Sequence, residues 1–173
     1  MLKGFKIRIY PTKEQEKQLF KTINTVRWTW NWGLALQMQR FKDSQKLLTA
    51  YEIRKQFTIE CNKEENAFLK EVAKNSCAIA LLDLDEAYKR FFKVQRQSKG
   101  FSKKTIERAT RRGRKLTPYE LQGHPKFKSK HKAKPSFPLQ TDAITFYNKT
   151  VTITKVGKVK YKSDASFPPR SKP

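Results

Sequence analysis

The chain has 173 residues, 37% of them hydrophobic and 12% aromatic, and its formal net charge is +24. The aromatic share excludes a wholly disordered chain, and no apolar run approaches the ~20 residues that span a bilayer. Because so many positive charges repel one another in a compact state, we expect a polyanionic partner. Nucleic acid is the first candidate and a membrane surface the second. The N-terminus lacks the apolar region of a signal peptide, which predicts a cytoplasmic protein.

The first half of the chain predicts a strand and three helical regions. Alternating residues at 5–10 predict a half-buried strand. Thr12 with Gln15, and Thr49 with Glu52, have the capping-box spacing that opens a helix. The first helix carries an apolar stripe at helical spacing, and a third helical region is predicted from about 64 to 94. The stripe of the first helix is Leu19, Ile23, Val26, Trp30, Leu34, Met38 and Phe41.

The second half predicts a basic connection followed by short strands. Residues 99–123 are polar, basic and interrupted by glycine and proline, so they predict either a short helix near 103–111 or a segment that folds on contact. Alternation returns at 143–162, with turn residues at 148–149 and near Gly157. The end, 167–173, predicts extended chain.

A single N-terminal strand is not stable alone, so we expect it to pair with the C-terminal strands. The helices are then an insertion into a small β structure. The predicted fold class is α+β, a small wedge-type β-barrel interrupted by an inserted helical domain. The predicted domains are the first strand at 1–11, the helical domain at 12–98, a basic insertion at 99–135 and the remaining strands at 136–173.

The positive charge is concentrated in one part of the chain. Residues 89–134 contain 17 Lys and Arg against two acids, a local excess of +15. Within it, the stretch "PKFKSKHK" alternates lysines with Phe127, Ser129 and His131, which predicts a ribbon with one cationic face along a phosphate backbone. We expect Phe127 to anchor this ribbon to the protein.

Other conspicuous residues favour structural roles. Trp30 lies on the apolar stripe of the first helix, and Asn31 is expected to make a buried hydrogen bond. Cys61 and Cys77 do not form a CxxC pair, so a zinc site is not expected. The acids at 83, 85 and 86 have no histidine or fourth acid nearby, which favours an exposed helix face. The prediction for metal ligands is therefore none.

Five stretches occur in a fixed order along the chain: FKIRIYPTKEQEKQL, VRWTWNWGLA, ALLDLDEAYKRFF, PKFKSK and VGKVKYK. Together they resemble the N-terminal half of TnpB, the RNA-guided nuclease of IS200/IS605-type transposons and a relative of the Cas12 effectors. The resemblance implies two partners, a guide RNA from the transposon end and a double-stranded DNA target beside a short transposon-adjacent motif. It also implies a prokaryotic, nucleoid-associated protein.

In that family, catalysis belongs to a RuvC-like domain whose acids hold a divalent metal, usually magnesium. None of the family's catalytic acids matches a position here; Asp142 and Asp164 lie near predicted strands but in no such motif. We therefore expect no catalytic residue and no cofactor in this chain. The chain alone is expected to bind nucleic acid without cutting it, whereas its parent protein would be a metal-dependent DNA endonuclease.

The resemblance and the residue chemistry together give two sets of candidate contacts. Lysine and asparagine on one helix face can hydrogen-bond base edges or phosphates, and arginine-rich segments often fold on RNA. The DNA-binding candidates are Tyr51, Arg54, Lys74, Asn75, Ala78, Gln140 and Thr141. The RNA-binding candidates are Arg8, Arg27, Arg111, Arg112, Arg114, Lys126, Lys128, Lys130, Lys132 and Lys134.

Two other interpretations remain open at this point. The helices could form a helix-turn-helix in a stand-alone DNA-binding repressor or transposase accessory protein, although "KDSQKLL" is longer than the turn of that motif. A ribosomal-type RNA-binding protein fits the charge but not the ordered motifs. The sequence does not indicate an oligomeric state.

Overall fold

A computed structural model describes residues 4–97 and 100–162 and confirms the α+β class. Short 3₁₀ segments lie at Glu64–Glu71, Pro118–Glu120 and Thr141–Ala143. Within the described residues, no helix is both long and apolar enough to pass through a membrane. The helices are α1 (Lys13–Lys42), α2 (Ala50–Glu60), α3 (Lys74–Arg96) and α4 (Lys103–Arg111), and the strands are β1 (Arg8–Tyr10), β2 (Ile144–Phe146), β3 (Thr150–Ile153) and β4 (Gly157–Lys162).

The sheet joins the two ends of the described chain. Its strand order is β1-β4-β3-β2, and every neighbouring pair is antiparallel. The predicted pairing of the first strand with the C-terminal strands is confirmed, because Ile9 lies opposite Tyr161. The predicted barrel is wrong for the described residues. Four strands of three to six residues form an open sheet, and closing a sheet into a barrel takes more strands than this.

The sheet has one buried and one polar face. Val151 and Val159 are fully buried, and Ile9 packs against their cluster. Tyr10, Lys160 and Thr150 are paired neighbours and point to the opposite face, because successive side chains along a strand alternate. The polar face therefore carries a row of cations, Arg8, Lys158, Lys160 and Lys162.

The helices pack around the crossing of α1 and α3. Leu34, Leu81 and Leu84 are fully buried there. Gly33 allows the two helices to approach closely, because a Cβ at this position would lie 2.9 Å from Leu81 Cδ2 and 3.0 Å from Leu84 Cδ2. In such a core, the stability of each helix comes mainly from packing of its buried face and only secondarily from its intrinsic helix propensity.

Both predicted capping boxes are present. Thr12 accepts from the Gln15 backbone N–H while Gln15 Oε1 accepts from the Thr12 N–H, and Thr49 and Glu52 repeat the arrangement at α2. Gln15 Nε2 also donates to the Lys158 carbonyl oxygen at 2.7 Å. The residue that caps α1 therefore also ties that helix to β4.

The predicted third helical region is wrong as a single helix. A 3₁₀ segment ends at Glu71, Val72 and Ala73 are extended, and α3 begins only at Lys74. The Glu71 carbonyl oxygen, which a continuous helix would use internally, accepts from Gln18 Nε2 at 2.9 Å. This contact from α1 holds the break, which places Lys74 and Asn75 in the first turn of a helix.

The basic insertion holds a short helix, which was one of the two alternatives that the sequence left open. α4 spans Lys103–Arg111, and the Ser102 hydroxyl caps it by accepting from the Thr105 N–H. The predicted extended end at 167–173 lies outside the described residues, as does Asp164.

Candidate nucleic-acid interfaces

Five of the DNA-binding candidates meet in one groove between α2 and the start of α3, which we call the α2/α3 groove. Its volume is about 310 Å³. Lys55, Phe57 and Thr58 complete the lining. The candidates that line it are Tyr51, Arg54, Lys74, Asn75 and Ala78.

The remaining two DNA-binding candidates, Gln140 and Thr141, are connected to this groove by Asp142, a residue to which the sequence assigned no role. Asn75 Nδ2 lies 3.4 Å from Asp142 Oδ2, and Asp142 belongs to the 3₁₀ turn that Gln140 and Thr141 open. A neighbouring cavity of about 530 Å³ contains Lys74, Asn75 and Asp142 together. The structure thus gathers five candidates in one groove, and Gln140 and Thr141 lie in the turn whose Asp142 contacts Asn75.

The start of α3 contributes to the electrostatics of the groove. No acid lies in the first turn of α3, and no side chain caps it. The free N–H groups and the positive end of the helix dipole favour an anion there. Lys74 and Arg54 add two full positive charges. The groove can therefore attract phosphate, while the amide of Asn75 can pair with a base edge.

Four of the RNA-binding candidates line a second groove, between α1 and residues 128–136, which we call the lysine groove. Arg27 comes from α1, and Lys128, Lys130 and Lys134 come from the facing loop. The groove has a volume of about 700 Å³, and no acid lines it. Half-exposed Phe20 adds an aromatic ring to its wall. A cationic groove with an aromatic ring is the arrangement that holds a single strand.

The lysine-rich loop is held by side chains of α1, and the predicted ribbon is wrong. Asn31 donates to the Lys128 carbonyl oxygen at 3.0 Å and accepts from the Lys128 N–H at 2.8 Å. The expected hydrogen bonding of Asn31 is present, at a half-buried and not a buried position. Trp30 Nε1 donates to the Lys126 carbonyl oxygen. These contacts replace a strand ladder, so the alternating sequence forms an irregular loop and then a turn at Ser129.

Two residues of this loop differ from their predicted environment. Phe127 is 54% exposed, so it does not anchor the loop to the core; Phe137 packs against the core instead. Lys128 Nζ lies 3.9 Å above the centre of the Trp30 ring, and its burial lowers the pKa of this amine. Lys128 is therefore engaged with the protein, whereas Lys130 and Lys134 are exposed.

The remaining RNA-binding candidates are spread over the surface. Lys126, Lys132, Arg111 and Arg112 are exposed but line neither groove. Arg8 lies on the edge strand β1, on the polar sheet face, opposite Lys162. The cations of β4 beside it were missed, although their alternation with buried Val159 and Tyr161 was visible in the sequence.

Arg114 is paired within the protein. Its guanidinium donates to both Glu120 oxygens, at 2.8 and 2.6 Å. Glu120 also accepts from the Thr117 N–H. The guanidinium first, and the backbone N–H second, lower the pKa of Glu120 to about 2. Arg114 thus closes the 114–120 loop, and this contact competes with a role in RNA binding.

The pairing predicts a pH dependence of this loop. A carboxyl whose folded pKa lies near 2, below an unfolded value of about 4.3, contributes stability that is present above the unfolded pKa and is lost as the pH falls towards 2. We expect the protection of backbone amides at 114–120, relative to their intrinsic exchange rates at each pH, to decrease across this range. Glu120→Gln should show the low protection already at neutral pH. The control is Glu107→Gln on α4, whose side chain has no ion pair among the described residues; equal exchange in both variants would contradict the prediction.

The described residues do not fit a divalent metal site. Across residues 4–97 and 100–162, no three of the His, Cys, Asp and Glu side chains cluster as a metal site requires. Asp85 and Glu86 both pair with Lys89. Burial raises the pKa of both cysteine thiols, which disfavours the thiolate that binds metal.

Comparison with known proteins gives two similarities. The family model for the helix-turn-helix domain of IS605 OrfB proteins matches residues 1–46. A protein of Streptomyces pristinaespiralis assigned as an RNA-guided DNA endonuclease is 26% identical over 156 residues, which are 90% of this chain and 32% of the relative. The chain thus spans about a third of the length of that relative.

The matched range bears on the helix-turn-helix alternative. Its described part, residues 4–46, holds β1 and the single long helix α1, and α2 begins only at Ala50. The connection between the helices is fixed by Gln37, which donates to the Leu48 carbonyl oxygen and accepts from the Leu48 N–H. Among the described residues of the matched range, no second helix is present to form a helix-turn-helix with α1.

Proposed function

We propose, from the premise that this chain is of the TnpB type, that it binds a guide RNA and reads a short motif in duplex DNA. The premise is the resemblance inferred from the sequence, and both similarities bear it out. They also support DNA binding and a transposon origin. The division of labour between RNA and DNA is our proposal, as is any activity of a longer protein that contains this chain.

One observation carries the DNA part of the proposal. Candidates from α2 and from the start of α3 line the α2/α3 groove, and Asn75 connects it to Asp142 of the 3₁₀ turn at Thr141–Ala143. Asn75 and Asp142 are 67 residues apart in the chain. Lys74 and Arg54 would position the phosphate backbone, and Asn75 would read a base edge. Asp142 orients the Asn75 amide and disfavours a phosphate directly in front of it.

The lysine groove supports the RNA part of the proposal. Arg27, Lys130 and Lys134 present three cations along one channel, and Phe20 offers a ring on which a base can stack. The loop that carries the lysines is fixed by Asn31 and Trp30, so the cations are held in place before RNA binds. A fixed site avoids part of the ordering cost of binding.

The DNA part predicts different outcomes for two neighbouring substitutions. Lys74→Ala should weaken all duplexes alike and reduce the slope of log K against log salt by about 0.9, because one phosphate contact is lost. Asn75→Ala should relax the preference at one motif position, where a bidentate base contact contributes about 1–3 kcal/mol. The measurement uses the protein with its bound RNA and is selection from a duplex library with a randomised motif, followed by fluorescence anisotropy of the selected duplexes at several salt concentrations.

Lys17→Ala is the matched control, because Lys17 is an exposed lysine on α1 that lines neither groove. It should change neither preference nor affinity by more than about twofold, as expected for a surface charge away from the ligand. An Asn75→Ala variant with the wild-type motif preference would remove the α2/α3 groove as the reader of the motif.

The RNA part is tested by isolating the protein beside its native transposon end and sequencing the RNA that accompanies it. Enrichment of one RNA from that end supports guide binding. Tight, sequence-specific duplex binding by RNA-free protein would instead favour the repressor alternative. The expectation that this chain alone cuts no DNA remains a prediction; cleavage of a guide-matched duplex in the presence of magnesium would overturn it.

A further inference from the structure

A pocket of about 260 Å³ lies far along α1 from the sheet, between α1, α3 and the loop at 118–124. We call it the aromatic pocket. None of the DNA-binding or RNA-binding candidates lines it. Six rings form its walls: Phe41, Tyr88, Phe91, Phe92, Tyr119 and His124.

The exposure of the rings increases from the floor of the pocket to its mouth. Tyr88, Phe91 and His124 are buried and pack edge to face, with ring centres 5.1–6.5 Å apart. Phe41 and Phe92 remain 52% and 42% exposed at the mouth. Leaving large apolar rings beside an open, preformed pocket costs hydrophobic stabilisation, and such a patch marks a binding site.

Cationic side chains lie in a cavity that adjoins the aromatic pocket on the side of Tyr119 and His124. An adjoining cavity of about 320 Å³ shares Tyr119 and His124 with the aromatic pocket and is lined by Arg108 and Lys126. The acid in that cavity, Glu120, is neutralised by Arg114. Arg108 and Lys126 make no ion pair within the described parts of the chain, so both charges are free for an anion.

We infer that the aromatic pocket receives an unpaired nucleobase of a single-stranded polynucleotide, whose phosphates contact Arg108 and Lys126. A flat aromatic guest matches a pocket walled by rings, and base stacking on aromatic side chains is a general mode of single-strand binding. The two free cations of the adjoining cavity favour a polyanion over an apolar protein segment. Because almost the whole lining is apolar, the pocket should accept any base.

This inference rests on the proposed function, since it assumes that the chain binds nucleic acid. It adds a site beyond the two grooves. It also assigns a role to the basic insertion, because α4 supplies Arg108 and the loop that follows α4 supplies Tyr119.

The test scans oligonucleotides for a position where a base is required. Single-stranded RNA and DNA probes of about 15 nucleotides, near the upper site size of one binding module, carry one abasic site at each position in turn. Affinities for the whole chain are measured by fluorescence anisotropy. The probes are first shortened to the minimum length that wild type binds, because a longer probe could shift its register and place a neighbouring base in the pocket. We then expect one abasic position to weaken binding by about tenfold in wild type, and the RNA and DNA arms identify the preferred strand.

Variants connect that position to the pocket. In Phe41→Ala the intact probe should bind about tenfold more weakly, and the abasic penalty should disappear, because the ring that contacts the base is missing. Phe41→Trp should retain both the affinity and the penalty. Phe41 is half exposed, so its removal should leave the fold intact, which circular dichroism checks. Leu82→Ala, at an exposed apolar position on α3 outside every cavity described above, is the matched control.

An abasic penalty of equal size in wild type and Phe41→Ala would overturn the inference while leaving the proposed function intact. So would the absence of a penalty at every position of a probe that wild type binds. Failure of wild type to bind any probe at low salt would overturn both. A penalty that depends on Phe41 and not on Leu82 supports the base-binding role.

Discussion

Replacing Gly33 by leucine is expected to lower the free energy of unfolding by about 2 kcal/mol. Even a Cβ at Gly33 would lie within 3.0 Å of Leu81 and Leu84 side-chain carbons, and overpacking a core by several carbons typically costs about 1–3 kcal/mol. The gain in helix propensity from replacing glycine, near 1 kcal/mol, offsets only part of the strain. Urea denaturation followed by tryptophan fluorescence measures the change.

Two variants separate crowding from helix propensity. Gly33→Ala should lie within about 1 kcal/mol of wild type, because the contacted atoms are flexible side-chain ends that can shift while propensity improves. Ala35→Leu, at an exposed position two residues further along α1, should be nearly neutral. If Gly33→Leu were as stable as Ala35→Leu, the close crossing of α1 and α3 would be wrong.

The triple substitution of Arg27, Lys130 and Lys134 by alanine is expected to weaken single-stranded RNA binding about fiftyfold near physiological salt. Each cation that neutralises a phosphate of a single strand contributes about 0.7 to the slope of log K against log salt. Loss of three contacts should therefore reduce that slope by about 2. Titration of a labelled, mixed-sequence RNA at several salt concentrations gives both quantities.

The control removes the same charge elsewhere. Lys6, Lys13 and Lys17 are exposed and line neither groove, so replacing all three by alanine also lowers the net charge by three. If net charge alone governed binding, the two triple variants would show equal losses, and the lysine groove would lose its special role. We expect the control to lose less than about fivefold, since exposed charges beyond a Debye length are largely screened.

Local signals in the sequence predicted local structure well. The capping boxes at Thr12 and Thr49 depend on residues three positions apart, and both helices begin where these boxes predict. The break before Lys74 was missed because its cause is a contact from Gln18, 53 residues away along the chain. Helical periodicity continues across the break, so the pattern alone favours one long helix.

The same difference between local signals and contacts of distant residues explains which features of the candidate sites the sequence predicted. The lysine alternation suggested a strand, but Asn31 binds that backbone across 97 residues and prevents a ladder. Arg114 looked like a free cation because its partner Glu120 follows a turn that the sequence does not define. The sequence predicted the DNA-binding residues only as a set of candidates; the fold places five of them in the α2/α3 groove.

The position of β4 has a consequence for the order of events on the ribosome. β4 lies between β1 and β3, and its register pairs Arg8 with Lys162, about 150 residues later. While the chain is being synthesised, α1 and α3 can pack as soon as both have emerged, but β1 has no partner until Gly157–Lys162 follows. Such distant pairing is slow to form. A β1 of only three residues offers a short edge to other nascent chains during that wait.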